Sequence, residues 1–307
     1  MMPTYAQELA VLQSVTYASL FDYPLTLPQL CESLVAERAD EPTIARWLAT
    51  GPLLQATIQR QNDLYFPAGR SDLVATRRRR EALSRQLLEH DRQVLQFMAA
   101  MPFVRLVAVS GSLAHLNAEG QSDLDLFVIT RPGRVWLVTL VALIVSRMLG
   151  WRRRLCLNYI VSEANLAIEP GDLFSANQII HLRPVIGQEV YRRFLEANAF
   201  VRRYYPNFMP REMNASPWRL RRWRGINAIE AVLNIGVAPV AERISRAFYS
   251  WYLRRQSSRW QSRDQVRLDP ECLKLHTSSH RGATMARFNA AVAEALRVAK
   301  IRQRLIG

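Results

Sequence analysis

The chain has 307 residues, of which 49% are hydrophobic, and it contains only 12 Gly and 15 Pro. This composition excludes a disordered or repeat-rich protein and allows two or three domains with sizeable cores. Three widely spaced cysteines exclude a disulfide framework and favour a reducing compartment. Residues 1–17 lack a basic stretch followed by an apolar core, so no signal peptide is expected and the predicted location is cytoplasmic.

The net charge of +15 is concentrated in the last third of the chain. Residues 202–307 hold 21 Lys and Arg against 7 Asp and Glu, whereas residues 1–201 hold 20 against 19. A surface of this sign attracts the phosphates of a nucleic acid, an anionic membrane surface or an acidic protein partner. The charge alone does not choose among them.

Residues 1–70 predict a small module of three helices and a hairpin. Apolar periodicity indicates the helices, and Thr26 with Gln29 forms a capping box at the start of the second. Two apolar segments, 53–59 and 64–66, flank a turn and predict the hairpin. This order is typical of a winged helix. Because the module is close to neutral, we favour a scaffolding or partner role over DNA binding.

Residues 71–101 predict one long linking helix with four consecutive arginines, Arg77 to Arg80. The simplest interpretation is a solvated helix face. The alternative is a phosphate contact, since the helix leads directly into the next predicted strand.

The segment 103–109 is apolar and rich in Val, which predicts a buried strand that breaks at Gly111 and Ser112. Gly111 allows the backbone to approach a ligand closely, and Ser112 is a good N-cap for the turn that follows. Amide groups and a hydroxyl would then face the ligand. These residues predict an anion site.

A second strand is predicted at 122–128, where apolar and polar residues alternate. The alternation places Asp123 and Asp125 on the same side of the strand. Two carboxylates on one side form a hard oxygen site for Mg²⁺ or Mn²⁺. Such ions neutralise a triphosphate and align an in-line attack on it.

Gly-Ser, a spacer and then Asp-x-Asp between apolar residues resembles the signature of the polymerase-beta-type nucleotidyltransferase superfamily. The resemblance implies that Gly111 and Ser112 hold a nucleoside triphosphate and that Asp123 and Asp125 ligate the metals. It also implies transfer of a nucleoside monophosphate to a hydroxyl acceptor. The expected fold class is α/β (α+β), with a mixed-sheet nucleotidyltransferase core at 102–207 between the winged-helix-like module and a basic helical region at 208–307.

Many members of this superfamily carry a third carboxylate on a later strand. The next apolar strand predicted here is 155–161, and Asn158 holds the corresponding position. An amide can coordinate a metal but cannot take a proton. Glu163 could complete the site if the chain curls back, with Glu169 and Asp172 as further candidates. The alternative function is a catalytically degenerate protein that binds nucleotide, nucleic acid or a protein partner.

The most apolar segment, 135–145, is too short to span a bilayer and predicts a buried helix that crosses the sheet. An interfacial membrane helix is the alternative. The segment 226–252 is apolar on more than one face, which implies burial over the core, against another subunit or on a membrane surface. The cluster at 218–224 interleaves Trp with Arg, as nucleic-acid grooves and membrane interfaces both do, although Arg stems covering apolar surface also explain it.

Overall fold

A computed structural model describes residues 2–120, 122–210, 220, 222–223, 225–275 and 280–306, with side chains as far as residue 301. Fourteen α-helices and eight strands lie in this part of the chain, and six of the strands form one mixed sheet. The predicted α+β class is therefore confirmed. The winged-helix and nucleotidyltransferase assignments remain predictions.

The amino-terminal module has four helices before its hairpin, one more than predicted. They are α1 (Tyr5–Ser19), α2 (Leu27–Glu32), α3 (Glu41–Thr50) and α4 (Pro52–Thr57), followed by β1 (Ile58–Gln61) and β2 (Leu64–Pro67). Most of the segment predicted as the first strand is α4. Pro52 starts this helix because its fixed φ suits the first turn, and Leu53 and Leu54 then face the core of the module.

The linking segment is two helices, α5 (Asp72–His90) and α6 (Arg92–Ala100), rather than one. The break falls at Asp91, which is 1% exposed. Its carboxylate accepts hydrogen bonds from Arg154, at 3.1 Å from Nε and 2.5 Å from Nη2. A buried carboxylate needs such a partner. Asp91 therefore connects the two linking helices to Arg154, the residue that precedes the strand Leu155–Ser162.

The four-arginine run is only half solvated. Arg77 and Arg80 are buried, and Arg78 and Arg79 are exposed. The Arg77 guanidinium lies 3.6 Å from the centre of the Tyr23 ring, and Arg80 donates to the Phe21 carbonyl at 3.0 Å. The expectation of a fully solvated face is wrong because the helix period turns every third or fourth side chain towards the amino-terminal module.

The central sheet has the order β6-β3-β4-β5-β8-β7. Its strands are β3 (Val104–Val109), β4 (Leu124–Thr130), β5 (Leu155–Ser162), β6 (Arg183–Ile186), β7 (Val266–Asp269) and β8 (Cys272–Leu275). Only β4 and β5 pair in parallel, and the predicted crossing helix, α8 (Val135–Met148), connects them. Buried side chains of α6, α8 and α13 cover one face of the sheet.

The opposite face of the sheet packs against a second set of helices. These are α9 (Leu173–Ile180), α10 (Gln188–Ala197), α11 (Val201–Tyr204) and α14 (Arg281–Ile306). The last helix continues to the amino-terminal module, where Ala299 joins the core formed by α1 to α4. Residues 208–307 therefore supply two strands to the sheet and a helix to the first module. The expected boundary at residue 207 does not separate an independent unit.

The segment expected to form one long helix is divided into α12 (Ile226–Asn234) and α13 (Val237–Arg255). Broad apolarity predicted burial, but one face of these helices is exposed, with Ile235 at 86% and Ile244 at 63%. No helix of the described chain is both long and apolar enough to cross a membrane. Of the aromatic and basic cluster at 218–224, the structure describes only Leu220, Arg222 and Trp223.

Buried carboxylates attach these two helices to the core. Glu230 of α12 accepts from the Phe103 amide at 2.6 Å and from Arg105 Nη2 at 2.7 Å, and it also pairs with Arg222. Glu242 of α13 accepts from the amides of Trp136 and Leu137, at 3.1 and 2.7 Å. The second carboxylate therefore caps the first turn of α8, where the amides have no helical partner.

We expect Glu230→Gln to destabilise the fold by about 3 kcal/mol near neutral pH, because it removes the buried carboxylate that pairs with both Arg105 and Arg222. Burial by itself would raise the pKa of Glu230, but the hydrogen bonds from Arg105 and Phe103 lower the pKa below its ordinary value of 4.5. A lowered pKa gives stability that is present above the unfolded pKa and is lost as the pH falls through the folded pKa. In urea unfolding, the difference in unfolding free energy between wild type and Glu230→Gln should therefore become smaller below about pH 4.5.

Glu189→Gln is the matched control. The pKa of Glu189 is also lowered, by a hydrogen bond from Arg192, but this pair is exposed on one helix and should contribute little to stability. If the difference in unfolding free energy between wild type and Glu230→Gln stays constant with pH, the charge of Glu230 is not the source of the stability.

Candidate functional site

The pairing of β3 with β4 brings the end of one strand beside the start of the other. Val109 lies opposite Leu126, and the Ser110 amide donates to the Asp125 carbonyl at 2.9 Å. Gly111 follows with a φ of +63° and begins the short helix α7 (Gly111–Ala114). The N-cap residue of this helix is Ser110, so the expectation that Ser112 is the N-cap is wrong. A Cβ built on Gly111 would collide with the Asp125 carboxylate. Only glycine permits this approach without backbone strain. The Ser110–Gly111 turn and Asp125 therefore form one compact unit.

The two predicted metal ligands lie at the start of β4. Asp123 is exposed and precedes the strand by one residue, while Asp125 is half-buried within it. Burial raises the pKa of Asp125 above its ordinary value, and the charge of Asp123 raises it further. The two carboxylates thus act on each other, as expected for side chains that share one side of the chain.

Strand β5 adds two polar side chains beside Asp125. Cys156 is directly opposite Asp125 in the parallel register, and its thiol donates to the Asp125 carboxylate. Burial and the neighbouring carboxylate raise the pKa of Cys156 to about 12, so the thiol stays protonated. The Asn158 amide is hydrogen-bonded to the same thiol and opposes this shift. A chain of hydrogen bonds therefore connects Asn158, Cys156 and Asp125.

A cavity of about 210 Å³ opens at this point, on the face of the sheet that packs against α9 and α14. Gly111, Asp125 and Asn158 line it from the sheet, Gln178 lines it from α9, and two cations complete its wall. The cations are Lys274 of β8 and Arg281 at the start of α14. The Asp125 carboxylate and two cations thus share one cavity, as a site for a metal-bound phosphate requires.

Lys274 was not singled out by the sequence analysis. It is 8% exposed, with its ammonium 3.4 Å from the Gln265 Oε1 atom and 5.3 Å from the centre of the Tyr159 ring. Burial and the charges of Arg267 and Arg281 lower the pKa of this lysine. The available signal was a single charge in the apolar segment Cys272 to Leu275, but nothing in the sequence pairs this segment with β5.

The acidic candidates beyond β5 lie elsewhere. Glu163 follows the far end of β5, and Thr130, five residues beyond Asp125, accepts its amide hydrogen bond. Five residues of strand correspond to about 17 Å. The Glu163 carboxylate pairs with Arg193 and with Arg105 at 3.6 Å. The structure therefore corrects the expectation that Glu163 completes the site, because β5 runs straight instead of curling back.

The two further candidates are also engaged in ion pairs. Glu169 pairs with Arg267 at 3.0 Å. Asp172 caps α9 through the Ser175 amide, at 2.9 Å, and pairs with Arg281, whose Nε is 3.0 Å away. This second pair holds Arg281 at the cavity wall, so Asp172 contributes to the site through a cation rather than as a third carboxylate.

A second cavity, of about 180 Å³, lies between the core and the amino-terminal module. Gly111 and Gln178 line both cavities, and Ser112 lines only this one. The rings of His115 and His181 stack here, with centroids 4.0 Å apart. Aromatic side chains of α1 and the following loop, including Tyr17 and Tyr23, form the opposite wall. The amino-terminal module is therefore part of the site region rather than a remote attachment.

In the part of the chain that the structure describes, no three side chains of His, Cys, Asp or Glu converge as a complete metal cluster. The donors present are two carboxylates and one amide, all oxygen ligands of the kind that Mg²⁺ accepts together with water and phosphate.

A comparison of the chain with protein-family models, with curated proteins and with solved structures found no match in any of the three.

We expect Gly111→Ala to destabilise the protein by about 2–4 kcal/mol, since it adds backbone strain and a collision with Asp125. Gly133→Ala is the control, because Gly133 has a similar φ of +66° but open space around its Cβ position. It should cost about 1 kcal/mol in urea unfolding.

In an Asp125→Ala background, the cost of Gly111→Ala should fall towards that of Gly133→Ala. If Gly111→Ala lowers the unfolding free energy equally with and without the Asp125 side chain, the inferred contact between residue 111 and Asp125 is wrong.

Proposed function

We propose that this protein is a Mg²⁺- or Mn²⁺-dependent nucleotidyltransferase that moves a nucleoside monophosphate from a nucleoside triphosphate to a hydroxyl acceptor. The observation that carries the proposal is the close approach of the Gly111 backbone to Asp125. Asp125 is the second residue of β4, and Asp123 immediately precedes this strand. This contact supports the proposal because the amides of the turn could bind phosphate beside two carboxylates that could bind a metal, and phosphoryl transfer needs both.

Each residue of the site has a role in this proposal. Asp123 and Asp125 would hold the divalent metal, which when bound neutralises phosphate charge and aligns the reacting groups. Amides of the Gly111 turn would hold the triphosphate, and the Ser112 hydroxyl would contact the nucleotide from the second cavity, which Gly111 also lines. Lys274, a buried cation on the same cavity, would bind phosphate oxygens and so offset its own cost of burial.

The two cavities that share Gly111 suit two reactants. The cavity with Asp125 and Lys274 carries the charged groups and suits the phosphates. The cavity with Ser112 and the stacked histidines is lined by aromatic rings and amides, and suits a base or a neutral acceptor. Gly111 lines both cavities, so the transferred phosphoryl group would bind next to it.

A second candidate function is a nucleotidyltransferase-like binding protein without turnover. Asn158 favours it, because an amide beside Asp125 can orient an acceptor hydroxyl but cannot take its proton. Binding of nucleotide, nucleic acid or a protein partner would then be the retained activity.

The decisive measurement is thermal unfolding with each nucleoside triphosphate and Mg²⁺ or Mn²⁺. Ligand at about 100 times its dissociation constant should stabilise wild type by about 2.7 kcal/mol. The Asp123→Asn, Asp125→Asn double variant should lose this metal-dependent gain. The control is Asp63→Asn, an exposed carboxyl in the turn of the β1–β2 hairpin, which should retain it.

Transfer assays on the same proteins separate the two candidate functions. Wild-type transfer of the α-phosphate into an acceptor that the double variant does not modify supports the enzyme. Nucleotide binding without transfer, with activity appearing only in Asn158→Asp, supports the binding protein. A nucleotide effect of equal size in wild type and double variant would overturn both.

Lys274→Met tests the phosphate role, because it keeps the apolar stem and removes the charge. If Lys274 binds phosphate, the variant should bind nucleoside triphosphate at least about tenfold more weakly, equivalent to about 1.4 kcal/mol, while its ligand-free stability is equal or higher. The control is Arg267→Met, a neighbouring cation already paired with Glu169. Unchanged nucleotide affinity in Lys274→Met would contradict the role.

A further inference from the structure

Helix α13 presents an apolar stripe that no described element covers. Its members are Val237 (67% exposed), Val240 (55%), Ile244 (63%), Phe248 (54%) and Trp251 (51%). The spacing of three or four residues aligns them along one side of the helix. The other side, with Ala238, Ser245 and Leu253, is buried on the core. The helix is therefore apolar on its outer surface as well as partly buried on its inner one.

The stripe continues onto both neighbouring helices. On α12, Val232 is 70% exposed and Ile235, at the corner with α13, is 86% exposed. Val141 of α8 and Val237 of α13 line one shallow groove, so these two helices share a continuous apolar surface. Ile144 and Met148 extend it along α8, at 50% and 79% exposure. Exposed apolar surfaces of this extent are typical of sites that bind another protein or a membrane.

Charge distinguishes the partner. Helix α13 contains four arginines and a single acidic residue, Glu242, whose carboxylate is directed inward onto the start of α8. Likewise Glu230, the acidic residue of α12, is buried against Arg105. Arg243 and Arg254 border the stripe on one side, since they are eleven residues apart on the helix. Arg255 lies over the Trp251 ring at 4.5 Å. The outer surface is thus apolar with a cationic border.

A second copy of the chain fits this surface poorly. In a two-fold interface the same patch meets itself, so both sides carry arginines and neither supplies acidic side chains to pair with them, because Glu230 and Glu242 are directed inward. A nucleic acid would satisfy the arginines but would leave the aliphatic stripe without a partner. An anionic phospholipid surface satisfies both, because apolar side chains enter the acyl boundary while arginine stems extend to the lipid phosphates.

We propose that the exposed stripe of α13, continued by α12 and α8, docks the protein on an anionic phospholipid membrane surface. The helix lies in the interface and does not span it. The candidate active site is on the opposite face of the sheet, lined by α9 and α14, so docking leaves it open. The proposal is independent of the proposed function.

The experiment is co-sedimentation of the full chain with vesicles. The protein should bind vesicles that contain phosphatidylglycerol and should bind far less to vesicles of phosphatidylcholine alone. Binding should weaken as salt rises from about 0.1 M to about 1 M, since the screening length falls from about 10 Å to about 3 Å. Equal binding to both vesicles, or to neither, would overturn the proposal.

Variants test whether the stripe is the contact. Ile244→Glu with Phe248→Glu should reduce partition into anionic vesicles at least about tenfold, because apolar insertion is lost and negative charge is added. Both side chains are exposed, and circular dichroism and unfolding should be unchanged. Tyr5→Glu, at a 63% exposed residue of α1, is the control and should bind as wild type does.

Three results would overturn the assignment. The first is retained vesicle binding by the Ile244→Glu, Phe248→Glu variant. The second is a wild-type dimer in solution that this variant converts to monomer, which would assign the stripe to a second copy. The third is binding of RNA or DNA that the variant loses while vesicles do not compete, which would assign the surface to nucleic acid.

Discussion

The candidate site depends on one close approach, between the Gly111 backbone and the Asp125 carboxylate. The β3–β4 register creates it, and the Ser110 amide fixes it by donating to the Asp125 carbonyl at 2.9 Å. A side chain at position 111 would meet the carboxylate, so the backbone geometry, the strand register and the acidic group are satisfied only together. Asn158 and Cys156 then extend from the neighbouring strand into the same network. The whole polar cluster is consequently as rigid as the sheet that carries it.

The basic carboxy-terminal part of the chain is integrated with this core. Glu230 and Glu242 are buried where α12 and α13 meet β3 and α8, and each satisfies backbone amides that would otherwise lack partners. Strand β8 pairs with β5 and brings Lys274 to the cavity, while α14 brings Arg281 and then reaches the amino-terminal core. Because the acidic residues of α12 and α13 are directed inward, the outer surface of these two helices carries a surplus of arginine. The same helices thus stabilise the sheet and create the cationic, apolar outer surface.

The sheet separates the two proposed sites. One face holds the cavity with Asp125 and Lys274, and the other carries α8 and α13 with their exposed stripe. A protein docked through the stripe would present the cavity away from the lipid surface. Transfer of a nucleotide and attachment to a membrane are therefore geometrically compatible in this fold.

The sequence alone determined the elements whose signals are local. The strands at Val104, Leu124 and Leu155, the crossing helix α8 and the break at Gly111 follow from periodicity and from residues with particular backbone preferences. The sequence did not show that Pro52 begins a helix or that Asp91 divides the linking helix. It also did not show that Ile244 is exposed, because an apolar pattern does not reveal whether another element covers the apolar side chains. Only the tertiary structure excluded Glu163 from the site and brought in Lys274, 149 residues away from Asp125 in the chain. Strand pairing between distant segments decided both, and such pairing depends on the packing of the whole sheet rather than on any local residue preference.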